Sequence, residues 1–334
     1  MVILMLRHPM DHDIVEDINN RIYVVVGNQH PPNGLIAYLK YIPGNGAGIW
    51  VRQGMPFKRV LKAYGVKSLH TYLPRHQEFV YDPVLNSYVP MVNKSSILKY
   101  YYPEIRLHEI LSRVDDELEF SVIEFIDILR KHSRLSVNDL GITGSLLTKT
   151  HNVNVSDVDM VIYGCNNALE FMDCVSYFDK AKLTYEDLVK QSNTYGLDVD
   201  TLARINPPYK RILVRGKEVN VIFVDNSPPP RYGSRIYVNL GVMEVVAEVI
   251  GGNCRSLMYP SIAEVSRIKD VILGDSSLAR LIKYVVSYEG LYSYQLFLGG
   301  NLRIRGLIQM VIPDHEYQLL VGGIEEPGYV IPRD

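Results

Sequence analysis

The sequence predicts an α+β protein in which a central segment alternating strands and helices lies between two β-rich segments. Three observations lead to this reading. Residues Leu107, Ile110, Leu111, Val114, Leu118, Val122, Phe125, Ile126 and Leu129 recur at helical spacing. The short apolar runs Leu140–Thr143 and Asp157–Tyr163 follow as buried strands. On either side of this region, Gly-, Pro- and Asn-rich turns separate runs of β-branched and aromatic residues. A chain of 334 residues exceeds one ordinary core. The expected boundaries are 1–105, 106–230 and 231–334, with a small barrel expected in the last segment.

In the first segment, Met1–Leu6 is apolar and one strand long. Arg21–Gly27 and Leu35–Ile42 read as paired strands joined by the turn residues Asn28–Gly34. Pro43–Gly46 turns again, and Ile49–Arg52 is a third strand. A helix is expected over Phe57–Tyr64, and loops at Tyr81–Pro83 and Tyr100–Pro103. In the second segment one long helix, Leu107–His132, precedes the strand Leu140–Thr143, and Leu146–Thr150 opens a helix. Asp157–Tyr163 is a strand ended by Gly164. Asn167–Phe178 and Tyr185–Tyr195 are helices. Arg211–Val224 is a hairpin turning at Gly216, and Asp225–Pro230 is a linker. In the third segment Val242–Ile250, Leu278–Tyr288, Leu302–Val311 and Tyr317–Val321 read as strands.

Composition narrows the function class. With 47% apolar and 22% charged residues, the chain is globular. Its formal net charge of −2 argues against coating nucleic acid by bulk charge, although a local basic patch remains compatible. The three cysteines, Cys165, Cys174 and Cys254, show no zinc-ligand spacing and no disulfide framework. No run reaches 18 apolar residues, so no membrane partner is expected. These features lead to the expectation of a cytoplasmic protein.

The chemistry-bearing motif is Ile142-Thr143-Gly144-Ser145, followed after eleven residues by Asp157-Val158-Asp159-Met160. Carboxylates at i and i+2 on a strand point to one face, where both can hold a pair of Mg²⁺ ions, with Mn²⁺ as the alternative. In-line phosphoryl transfer from a nucleoside triphosphate needs that charge neutralised. Gly144 lets phosphates approach the backbone, and Ser145 with neighbouring N–H groups can bind them. Lys149, four residues after Ser145, is a further candidate for the phosphates.

This compound pattern resembles the signature of the DNA polymerase beta superfamily of nucleotidyltransferases. The resemblance covers about 110–225. It implies a mixed sheet with helices on one side, metal held by Asp157 and Asp159, and transfer of a nucleoside monophosphate to an acceptor hydroxyl with release of pyrophosphate. The whole chain also resembles stand-alone archaeal proteins described only as predicted nucleotidyltransferases.

The family's third carboxylate is missing. The matching position is Asn220, which can ligate through its carbonyl but carries no charge. Glu218, two residues earlier on the same strand face, is the candidate substitute as metal ligand and catalytic group, the alternative being an exposed strand-end charge beside Gly216 and Lys217. Arg204, Lys210, Arg211, Arg215 and Lys217 form a basic run that could guide an acceptor, with RNA as one candidate partner. His8, Asp11, His12 and Asp13 read as turn and cap residues, and Asp198-Val199-Asp200 as a turn and helix cap. Two other readings stay open: a nucleotide- or RNA-binding protein without turnover, and a structural subunit using the transferase fold as scaffold.

Overall fold

The computed structural model describes residues 6–45, 48–61 and 63–333. The expected strand over Met1–Leu6 and the end of the Pro43–Gly46 turn therefore fall largely outside the described residues. In chain order, β1 (Ile14–Asp17), β2 (Ile22–Val25), β3 (Gly34–Pro43) and β4 (Trp50–Arg52) come first. The helix expected at Phe57–Tyr64 is not there: β5 (Met55–Arg59) occupies its start, and α1 is Val66–Tyr72. Pairing decides this, because Phe57 faces Trp50 across one ladder and Pro43 across the other, and is buried there. The expected loops at 81–83 and 100–103 begin as strand, in β6 (Phe79–Asp82) and β8 (Ile97–Tyr101), with β7 (Ser87–Asn93) between them.

The single helix expected over Leu107–His132 is two, α2 (Pro103–Ser112) and α3 (Glu117–His132). Asp116 is extended and caps α3, accepting from the N–H groups of Leu118 and Glu119. Next come β9 (Leu140–Thr143), α4 (Gly144–Leu147), β10 (Val158–Tyr163) and α5 (Cys165–Cys174). Then follow α6 (Tyr185–Tyr195), α7 (Val199–Ile205), β11 (Ile212–Val214) and β12 (Lys217–Val224). The chain ends with β13 (Ile236–Val249), β14 (Ser261–Leu273), α8 (Ser276–Ala279), β15 (Ile282–Ser287), α9 (Ser293–Leu298), β16 (Gly300–Ile312), β17 (Glu316–Val321) and β18 (Tyr329–Pro332).

The chain is a mixed α+β protein of two compact units, which cut across the three consecutive segments read from sequence. The first unit comprises Met1–Val60, Met91–Lys182 and Pro208–Pro229. In it, β4-β5-β3-β2-β1-β8 form one sheet and β11-β12-β10-β9 another. In the second sheet β10 runs parallel to β12 and antiparallel to β9, with Val158 opposite Val219 and Asp159 opposite Asn220. Val158, Met160, Ile162, Val219, Val221 and Phe223 share one face and are all buried. Helices α3 and α5 cover it through Phe125, Phe171 and Phe223, with ring centroids 6.2 Å and 5.8 Å apart. Leu147 of α4 packs into the first sheet among Ile14, Ile22, Val24, Tyr41 and Phe57. The N-terminal strands thus belong to the same unit as the Gly144–Asp159 motif.

The second unit comprises Leu61–Pro90, Leu183–Pro207 and Pro230–Asp334. Strand β13 pairs with both β14 and β16, which closes the ring β13-β14-β15-β17-β16. Strands β15 and β17 are parallel, and α9 lies between β15 and β16 in sequence. The five strands therefore form a small closed barrel. Val245, Ala247, Val249, Val285, Ile304, Leu319 and Val321 share its core with Leu202 and Ile205 of α7. Sequence patterning misses β14 because Glu264, Arg267, Lys269 and Asp270 interrupt its alternation. Among the described residues, no helix is long and apolar enough to cross a membrane.

Candidate functional site

The helix-free face of the four-stranded sheet carries Asp157, Asp159 and Asn220. Period-two alternation forces this arrangement: if Met160 and Val221 face the helices, Asp159 and Asn220 face away. Further along the same face, Val161, Tyr163, Ile222 and Val224 are covered by Met10. The segment around Met10 therefore forms a wall over this sheet face. Its position is fixed from both sides: Thr143 Oγ1 donates to the His12 carbonyl at 2.6 Å, and Asn28 Nδ2 donates to the Asp225 carbonyl at 2.6 Å.

Gly144 follows β9 directly, at φ +69°, a conformation that suits glycine. A Cβ at this position would collide with the Asp159 carboxylate. Ser145 is buried beside it at the start of α4, a single turn of four residues. So short a helix has little dipole to offer, and any phosphate binding here rests on individual N–H groups and the Ser145 hydroxyl.

Repulsion dominates the electrostatics. The Asp159 charge, with burial added, pushes the Asp157 carboxyl up to about 6. Lys40 and Arg59 oppose that rise. Lys40 lies on β3 and Arg59 on β5, so the N-terminal sheet supplies cations to the carboxylate pair. Lys210 is the third cation: burial pulls its ammonium pKa down, while Asp159, Asp157 and Asp11 pull it back up. Sequence reasoning assigned Lys40 and Arg59 no role. The available signal was Lys40 itself, a charged residue within a ten-residue strand that is otherwise apolar.

The other expected residues are dispersed. Asn220 Nδ2 donates to Asp157 Oδ2 at 2.8 Å, and its Oδ1 accepts from the Arg211 N–H at 3.1 Å. Its amide therefore joins two partners of opposite kind. Glu218 shares the face of Asn220, but Arg211 holds its carboxylate with contacts of 2.8 Å and 3.1 Å. Arg215 pairs with Glu124 at 2.9 Å and lies over the Phe120 ring. Lys217 Nζ donates to the Val153 carbonyl. Lys149 pairs with Glu109 at 2.9 Å and lines a cavity of about 520 Å³ with Arg52, Lys99, Tyr101 and Arg106. Arg204 belongs to α7 in the other unit. Of the expected cations, Lys210 acts on the carboxylate pair.

Asp116, Glu119 and His151 form a second grouping of metal-ligand type, with ligand atoms within 4.8 Å of one another. Its carboxylates are already committed. Asp116 caps α3 and meets His151 Nε2 at 2.7 Å, while Glu119 binds Arg106 and the Asp115 N–H. This network ties α2 to α3.

No protein-family model matches the chain, and no solved structure matches it. The chain is similar to a protein of Methanocaldococcus jannaschii named "Uncharacterized protein MJ1086", at 24% identity over 319 residues and 90% of each chain. The likeness extends through both units.

Proposed function

We propose that the first unit is a nucleotidyltransferase of the DNA polymerase beta type. It would take a nucleoside triphosphate and move its nucleoside monophosphate to an acceptor hydroxyl. The observation that carries this reading is the pair Asp157 and Asp159, placed on one sheet face against a glycine that a side chain could not replace. Two carboxylates whose charges oppose each other on one sheet face, Asp157 exposed and Asp159 half-buried, make a site for a divalent cation. Their oxygens fit Mg²⁺ or Mn²⁺. The donor set suffices for one ion. A second would need Glu218, which Arg211 holds, or the Asn220 carbonyl, which the Arg211 N–H occupies.

A bound cation would neutralise triphosphate charge and polarise the α-phosphoryl group. The chain's own groups have separate tasks. Lys40, Arg59 and Lys210 would counter the remaining phosphate charge. Gly144 would let a phosphate approach the backbone, and Ser145 would donate its hydroxyl. The amide of Asn220 orients Asp157.

That same amide favours a second reading, a protein that binds nucleotide without turning it over, because the position opposite Asp159 holds a neutral side chain that donates to Asp157. Label transfer separates the two. Wild type and the Asp157→Asn/Asp159→Asn double variant are incubated with each α-labelled nucleoside triphosphate, Mg²⁺ or Mn²⁺, and total RNA with cell extract. The enzyme reading expects label incorporated by wild type alone. Nucleotide binding without incorporation supports the second reading, and incorporation by the double variant removes the site assignment.

A further inference from the structure

Nucleotidyl transfer requires a group that takes the proton of the attacking hydroxyl, and the strand position opposite Asp159 holds a neutral amide, Asn220. We propose that His12, oriented by Asp11, is that proton acceptor. The proposal rests on the transferase reading of Asp157 and Asp159 and deepens it.

Position is the first argument. Met10 lies on the sheet face that carries the carboxylate pair, packed against Val161, Tyr163 and Val224. Two residues on, the His12 carbonyl accepts from Thr143 Oγ1 at 2.6 Å. Thr143 is the cross-strand neighbour of Asp159. The chain therefore passes from the apolar end of this face to its acidic end between Met10 and His12. Lys210 is sensitive to the charges of Asp157, Asp159 and Asp11 together, which agrees with that placement.

Chemistry is the second argument. Asp11 is buried, with 3% of its surface exposed, and its two oxygens have distinct tasks. Oδ1 accepts from the Gly27 N–H at 2.7 Å, which fixes the carboxylate, and Oδ2 lies 2.6 Å from His12 Nδ1. A carboxylate only accepts, so Nδ1 carries the hydrogen and Nε2 presents its lone pair. The ring is 31% exposed and so open to solvent on part of its surface. A base held by a third group is the arrangement general-base catalysis uses.

In the proposed step, the acceptor O–H gives its proton to His12 Nε2 while the oxygen forms its bond to the α-phosphorus. The bond between that phosphorus and the bridging oxygen breaks, and pyrophosphate leaves with the electron pair. The imidazolium then returns its proton to solvent.

The test uses the full chain, Mg²⁺ and α-labelled nucleoside triphosphates, with water as the attacking hydroxyl and labelled monophosphate as the product. N-methylanthraniloyl-ATP reports nucleotide binding separately. His12→Gly suits φ +63° and leaves a space that free imidazole can enter, while His12→Asn keeps the backbone conformation and fills that space. Both are expected to lose at least about 100-fold in turnover with nucleotide affinity within about 3-fold of wild type. Added imidazole is expected to restore at least about tenfold to His12→Gly and nothing to His12→Asn. Turnover retained in both variants overturns the proposal, as does loss of turnover accompanied by loss of nucleotide binding. Wild type that neither binds nor hydrolyses any triphosphate removes the transferase reading itself, a result separate from either His12 outcome, and the proposal goes with it.

Discussion

The carboxylate of Asp159 fills the space that a side chain at Gly144 would need. The two residues are fifteen positions apart in sequence, and their contact is set by the pairing of β9 with β10. Gly144→Ala is expected to cost about 2 kcal/mol or more, from the positive φ and the displaced carboxylate together. Unfolding in urea measures this. The stabilisation that Mg²⁺ gives wild type should also disappear, since Asp159 can no longer sit beside Asp157. A Gly144→Ala protein that keeps both its stability and its Mg²⁺ response would show that the contact has no functional weight.

Asp157→Asn is expected to stabilise the metal-free protein at neutral pH. The folded-state value of Asp157 is pushed up to about 6 by Asp159 and by burial. A raised carboxyl contributes its stability below its unfolded value, near 4, and that stability is lost as pH rises through about 6. At pH 7.5 wild type therefore carries a penalty that asparagine escapes, reduced by the solvent that reaches the exposed Asp157 side chain. At pH 4 the two proteins should unfold alike. Urea titrations in EDTA at the two pH values measure the difference. Equal stabilities at both would mean that the carboxylates do not repel each other in the folded chain.

The strands of the site were legible because their signals are local. Leu140–Thr143 and Asp157–Tyr163 are short apolar runs bounded by Gly144 and Gly164, and both are strands. Two residues that act on the pair were not legible, for one physical reason. Lys40 and Arg59 reach Asp157 only through tertiary packing of a sheet nearly a hundred residues earlier in the sequence. Arg59 also lay in a segment whose local propensity suggested helix, which pairing with β3 overrides. Asp11 and His12 look like turn residues because they are in a turn, and sequence spacing cannot show what a turn residue's ring faces. The small barrel expected in the C-terminal segment is there, but the pairing that closes it, β13 with β16 across roughly sixty residues, has no local signal.

In the barrel-containing unit, Glu289 offers a prediction independent of catalysis. Burial pushes its carboxyl up to about 7, although it accepts from the Val66 N–H at 2.7 Å. Its folded value lies above the unfolded one, so its contribution to stability is lost as pH rises from about 4.5 through 7. Glu289→Gln retains an oxygen for Val66 and has no charge to bury. The variant should match wild type at pH 4.5 and exceed it by about 2–3 kcal/mol at pH 8. Thermal unfolding across that range would measure it, and a variant weaker than wild type at pH 8 would place the Glu289 charge among stabilising partners.

Restoring a carboxylate at position 220 tests the site most directly. Asn220 accepts from the Arg211 N–H and donates to Asp157, so it reconciles a backbone donor with a carboxylate acceptor. Aspartate can still serve Arg211, but it replaces the donor facing Asp157 with a third negative charge. The metal-free Asn220→Asp protein should lose about 1–3 kcal/mol of stability through that repulsion and the lost hydrogen bond. Mg²⁺ should reverse the loss, with affinity at least about tenfold above wild type, because one more anionic oxygen then faces the cation. Calorimetric titration of both proteins with Mg²⁺ measures the affinities, and urea unfolding with and without Mg²⁺ measures the coupling. If Asn220→Asp is destabilised and Mg²⁺ binding is unchanged, Asn220 is a hydrogen-bonding strut for Asp157 and not a position that a bound cation reaches. In that case a single cation between Asp157 and Asp159 is the whole metal site, and any proton transfer must come from a residue outside the sheet.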